Sequence, residues 1–416
     1  MRRRAERAII GFDLGKGGVF LNKTASVRTD YRHTLRASYL GCMSQAVVNT
    51  FLPLLFLTFQ RDYGIPLDRI ALLVSFNFGT QLLVDFISAY TVDRIGYRKC
   101  IVAAHVFCAA GLAGAAVLPN VMSDPFLGLL ASVLCYAVGG GLIEVLVSPI
   151  VEACPTEEKT AAMSLLHSFY CWGCVAVVVC STLFFACFGT ERWPVLAVLW
   201  ALLPAVNAVY YALVPIRTLT EQGGGMRAGA LVKTPLFWLL CLLMVCAGAA
   251  EQGMSQWASA FAESALGVSK TVGDLAGPCA FAILMGSVRL YLGKKGGSVN
   301  ARRVLAVSCA VCTACYLTAS LVPQPLAGLA ACALCGASVG ALWPVTFSLA
   351  ARAMPKGGTA MFALLALAGD LGCSAGPGLV GFIAEGAGGS LRAGLLAGTL
   401  FPVAMFLALA ASRKKI

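Results

Sequence analysis

Twelve apolar runs of about twenty residues limit what this chain can fold into more than anything else in it. They cover 37–59, 70–92, 100–119, 126–150, 163–189, 194–214, 236–262, 273–292, 304–322, 326–350, 359–384 and 393–411. In lipid every backbone polar group needs an internal partner, so each run is predicted to be a spanning helix. Charged residues make up only 12% of the chain, against about 25% for an ordinary soluble domain. The expected fold class is therefore an all-α membrane protein with 12 transmembrane helices.

Positive charge orients the bundle, because basic loops resist translocation. Of the 31 Lys and Arg, 25 fall in segments that lie on one side if both termini are cytoplasmic: nine in 1–36, three in 93–99, one in 151–162, three in 215–235, four in 293–303, two in 351–358 and three at the C-terminus. Five fall on the other side, and Arg289 sits near the inner end of the eighth span. The expected location is the cytoplasmic (inner) membrane, multi-pass, with both termini cytoplasmic. The net charge of +12 then reflects this sorting and contact with anionic lipid rather than nucleic acid.

The expected organisation is a basic cytoplasmic segment (1–36), a six-helix half (37–214), a cytoplasmic linker (215–235), a second six-helix half (236–411) and a short tail (412–416). The halves echo one another. Ala162-Met163 and Ala360-Met361 lie 198 residues apart, and Pro149 and Pro344 lie 195 apart. Two similar halves around a midplane cavity form the architecture of a rocking secondary transporter.

The loop between the second and third spans reads AYTVDRIGYRKC. It resembles the signature loop of the major facilitator superfamily at Asp93, Arg94, Gly96, Arg98 and Lys99, with Ala89 in place of the first glycine. The resemblance implies a conformational latch built from Asp93, Arg94, Gly96 and Arg98. The fourth span carries GGGLIEVLVSP, which is similar to the fucose permease branch of sugar/proton symporters at Gly139, Gly141, Glu144 and Pro149, with Ser148 in place of an Asn. That branch has a carboxylate four residues before a proline in the first span; here the position holds Asn49. The resemblance implies a sugar-type cargo carried in symport with protons.

The residues support a site in their own terms. A charged carboxylate near the bilayer centre is costly, so Glu144 is expected to take up a proton and release it as water or substrate arrives, which makes it the proton-coupling candidate. In the seventh span Glu251, Gln252, Ser255, Gln256, Ser259 and Glu263 fall within an arc of about 140° at 100° per residue. Such a stripe lines a cavity or glues helices, and amides beside Trp257 suit sugar hydroxyls. Gln45 and Asn49 in the first span, His167 in the fifth and Asp370 in the eleventh complete the candidate substrate-binding set. Trp343 is a candidate for stacking or for packing.

The eighteen cysteines lie mostly in apolar helices, where three-residue spacings merely share a face, so no metal is expected. No hydrolase constellation stands out, and GFDLGKGG lacks the spacing and the Ser or Thr of a phosphate loop. The expectation is a transporter rather than an enzyme, without a cofactor, driven by the proton gradient. It would be a monomer whose partners are a small-molecule substrate, protons and membrane lipids, with no nucleic acid. Two alternatives stay open: a proton-coupled exporter of drugs or metabolites, and a non-transporting sensor or lipid-handling protein on the same fold.

Overall fold

A computed structural model describes residues 27–155, 159–217, 226, 228–295 and 300–412. Most of the segment 1–36, part of the linker 215–235 and residues 413–416 of the tail lie outside the described residues, as do the side chains of Asp93 and His167.

Among the described residues twelve helices are long and apolar enough to cross a membrane. They are α1 (Tyr31–Tyr63), α2 (Leu67–Ile95), α3 (Tyr97–Val121), α4 (Pro125–Ala153), α5 (Lys159–Phe188), α6 (Trp193–Leu213), α7 (Pro235–Ser255, continued by Ala258–Leu266), α8 (Lys270–Asp274 through Ala280–Lys295), α9 (Ala301–Leu321), α10 (Pro325–Ala353), α11 (Gly358–Gly386) and α12 (Leu391–Ala411). A short helix, Ala228–Leu231, precedes α7. With an even number of spans, α1 begins and α12 ends on the same side; this is the termini end, and the opposite side is the far end.

The packing repeats with an offset of six helices. α3 lies on α4 as α9 lies on α10, α2 on α4 as α8 on α10, α1 on α5 as α7 on α11, and α3 on α6 as α9 on α12. Between the halves α2 meets α11 and α5 meets α8. Lipid supplies no hydrophobic drive between helices, so close backbone approach does much of the work. At Gly139 a Cβ would collide with the Ala104 carbonyl and Cys108 of α3, and at Gly372 with the Val245 carbonyl of α7. Apolar side chains such as Leu83, Val206, Val209 and Leu407 remain exposed on the outside, as a lipid-facing surface requires.

Irregular backbone concentrates toward the far end. α1 tightens into a 3-10 turn at Leu52–Leu55 around Pro53, α7 breaks between Ser255 and Ala258, and α8 widens into a π turn at Leu275–Cys279 around Pro278. Proline removes a donor and crowds the preceding turn, which frees carbonyls for other partners. The Asn49 carbonyl, four residues before Pro53, is one of them and accepts from Gln256 of the other half; Lys270 Nζ donates nearby to the Leu54 carbonyl, also across the halves.

Candidate substrate cavity

A cavity of about 690 Å³ lies between the halves, and it reaches from mid-bundle, at Asn49 and Glu251, to the termini end, at Ala301 and Arg352. The far end is shut. Ser75 of α2 and Ser374 of α11 exchange hydrogen bonds, each hydroxyl donating to the other's carbonyl at 3.2 and 2.9 Å. The first backbone amide of α2, at Leu67, donates to Glu385 at 3.0 Å, placing an anion at a helix N-terminus. Gln256 donates across the halves to the Asn49 carbonyl at 3.0 Å.

Lys270 anchors the same seal. It pairs with Glu263 at 3.2 Å and with Asp274 at 3.2 Å, and fully buried Asp274 also accepts from Ser259 at 2.5 Å and from Thr182 of the first half at 3.3 Å. Removing one partner from a buried charge network strands the others at about 3–5 kcal/mol. Lys270→Met is therefore expected to lower the thermal midpoint of the purified protein, and Lys270→Arg to keep most of it. An unchanged midpoint in Lys270→Met would show that this cluster contributes nothing.

Inside the cavity Glu144 projects from α4 into the lumen, and Gln45 of α1 donates to its carboxylate at 2.8 Å. Among the described residues Glu144 takes part in no ion pair. Asn49 is a hub: its side-chain oxygen accepts from Asn77 at 3.1 Å and Gln81 at 3.0 Å, and its amide nitrogen donates to Tyr170 at 3.4 Å. Gln252 lines the cavity and accepts from Gln256 at 3.0 Å and Ser255 at 3.2 Å. Glu251 pairs with Arg289 of α8 at 2.8 Å, and Arg289 also reaches Cys171 of α5 in the other half at 3.7 Å.

The structure thus brings Gln45, Asn49, Glu144, Glu251, Gln252 and Asp370 onto one cavity wall. Gln256 lies just above it, in the shut far end, and His167 lies outside the described side chains. Trp257 is fully buried in the far-end seal, with Nε1 donating to the Pro377 carbonyl at 3.0 Å, whereas Trp343 does line the cavity. Ser38 turns away and accepts from Tyr211 inside the first half at 3.1 Å.

In the expected latch, Gly96 has φ of 96°, a backbone conformation that favours glycine, and Arg98 donates to the Tyr211 and Ala212 carbonyls at 3.0 and 2.9 Å. Arg98 thereby satisfies the last turn of α6 within its own half, and Arg94 is exposed.

Residue-by-residue reading of the sequence missed Arg289 as a cavity group, and it missed Asn77, Gln81 and Asp85. The last three recur every four residues along α2, which places them on one face. That stripe was a legible signal. Nothing in the sequence announced that Arg289 reaches inward.

A bundle of two six-helix halves enclosing a polar cavity, open at one end and shut at the other, is the build of an alternating-access carrier. Residues 37–377 match the model of the Major Facilitator Superfamily, and the chain belongs to that family of transporters. A curated relative, "Membrane protein MosC" of Rhizobium meliloti, is 25% identical over 312 residues, covering 74% of this chain and 73% of the relative. Among solved structures, the chain is similar to a bacterial homologue of the human lysosomal transporter Spinster in an inward-facing and occupied conformation, with a TM-score of 0.72 and 14% identity, covering 93% of this chain and 97% of that one. It is also similar to the transporter FucP in the outward conformation, with a TM-score of 0.61 and 16% identity, covering 92% and 99%. At these identities the structures share the fold.

Proposed function

We propose that the protein is a proton-coupled symporter of a small polar solute of the sugar or polyol type, in the cytoplasmic membrane with both termini in the cytoplasm. The observation that carries this reading is Glu144, a cavity-facing carboxylate partnered by an amide rather than a cation. A carboxylate so placed is costly to keep charged without water, so closure of the cavity favours its protonated form and opening lets the proton go. The wall around it offers Gln45, Asn49 and Gln252 as hydrogen-bonding amides, with Trp343 as an aromatic face. Hydroxyl-rich solutes need such groups, since each buried polar atom must find a partner.

The charge count supports the orientation. The 25 basic residues of the termini-side segments against five opposite favour a cytoplasmic location for the termini end, and in that orientation the cavity opens inward. The latch group Asp93, Arg94 and Arg98 then belongs to the alternative state, in which the cytoplasmic ends of the halves come together.

Glu144→Gln tests the coupling, because it keeps the shape and removes the titratable proton. In proteoliposomes, uptake of labelled sugars driven by an imposed pH gradient is expected to fall at least tenfold, while exchange of the same solute without a gradient continues. Gradient-driven uptake that survives Glu144→Gln removes the coupling role. Failure of every sugar and polyol to be taken up by the unaltered protein removes the substrate class.

A further inference from the structure

The antiparallel register of α2 on α11, set by Ser75 against Ser374 and by Ala71 against Gly381, brings Asp85 and Asp370, from opposite halves of the chain, to the same depth of the seam, where each carboxyl acts on the other. Asp370 is 5% exposed. One oxygen of each, Asp85 Oδ1 and Asp370 Oδ2, is buried without a hydrogen-bond partner. Neither carboxylate joins an ion pair among the described residues. Both lie along the seam where α2 packs on α11, and Asp370 also borders the cavity.

Among the described residues the surroundings supply no counter-charge. From α4 the nearest titratable group is another acid, Glu144, whose charge acts on both. From α7 comes Glu251, already spent on Arg289 of α8, and from α11 itself comes the thiol of buried Cys373. His105 of α3 is tied to the Ile101 carbonyl and Asn207 within the first half. Arg392 of α12 is held by the Ala319 and Val322 carbonyls at the far end. Arg352 of α10 stands at the termini-end mouth of the cavity, and the short helix Ala228–Leu231 has no titratable side chain. Two carboxylates this close cannot both stay ionised away from water and cations, and the usual resolution is one proton shared between them.

We propose that Asp85 and Asp370 form a proton-binding site separate from Glu144, in which one proton bridges the two halves across the α2–α11 seam. With the proton in place, a neutral carboxyl donates to a carboxylate and the halves are stitched at mid-depth. When it leaves to the cavity water, two like charges face one another across the seam and push α2 from α11. Far-end closure, which depends on the same two helices through Ser75 and Ser374, is thereby tied to proton occupancy. The site stands whether or not Glu144 couples transport.

Infrared difference spectra of the full-length protein in lipid nanodiscs, titrated between about pH 5 and pH 9, read the proton directly through the carbonyl stretch of a protonated carboxyl. In a Glu144→Gln background, where Glu144 gives no band of its own, the protein is expected to show a titrating band that is lost when Asp85→Asn is added and lost again when Asp370→Asn is added instead. Asparagine can donate to the remaining carboxylate, so both variants are expected to elute and melt like the unaltered protein, and either one alone suffices as a test. A band that persists in whichever added Asn variant folds, or that is already absent from Glu144→Gln, overturns the site. The same holds if no protonated band appears at any pH and the spectrum instead responds to exchanging sodium for choline, which would make the ligand a metal cation.

Discussion

Arg289→Ala is expected to destabilise the protein by about 3–5 kcal/mol, because it leaves the Glu251 carboxylate buried without its cation. The two side chains are 24% and 9% exposed and 2.8 Å apart, so solvent screens the pair poorly and does little to rescue a stranded partner. The pair also spans structural boundaries: Glu251 belongs to α7, Arg289 to α8, and the guanidinium continues to Cys171 of the first half at 3.7 Å. The loss should appear as a lower midpoint in thermal unfolding of the purified protein. Glu251→Gln is expected to cost less, since an amide can still accept from the guanidinium. The double replacement Arg289→Met with Glu251→Leu is expected to recover most of the loss, because an apolar pair has no desolvation penalty to meet. If the double variant is as unstable as Arg289→Ala, hydrophobic packing rather than charge pairing sets the effect.

Trp257→Ala is expected to be of similar size, about 3–5 kcal/mol, for a different reason. This indole is fully buried where α7 breaks, and it sits against Phe56 of the first half with ring centroids 5.2 Å apart. Gly381 of α11, where a Cβ would collide with the indole, leaves it room. Removing it opens a void in the seal that holds the far end shut. Trp257→Phe keeps most of the volume and gives up the bond to the Pro377 carbonyl, so a loss of only about 1 kcal/mol is expected. Equal losses in the two variants would mean the hydrogen bond, not the packing, holds the seal.

Much of the site was legible because polar residues in a spanning helix carry information that they lack in a soluble one. Glu144, Asp370, Gln45, Asn49, Glu251 and Gln252 each interrupt an apolar run, and all of them reach the cavity wall. The same logic applied to α2 would have found Asn77, Gln81 and Asp85 at four-residue spacing. It misplaced others for a physical reason: a polar stripe shows that a face avoids lipid, but not whether it meets water or protein. Gln256 lies on such a face and Trp257 beside it, and both are packed inside the far-end seal. Arg289 was harder still, since near the end of a span a long cation reads as a loop charge until its side chain is seen to turn inward.

Composition and the length of the apolar runs determined the number of spans and the all-α class, because lipid admits few ways to satisfy a backbone and each leaves a long local trace, and a resemblance in the signature loop pointed to the family. Which end is open, which charges meet and which carboxylates face each other across the halves were decided only by the tertiary structure. Asp85 and Asp370 are 285 residues apart in the chain, and contacts of that range arise from packing two halves together rather than from any local pattern.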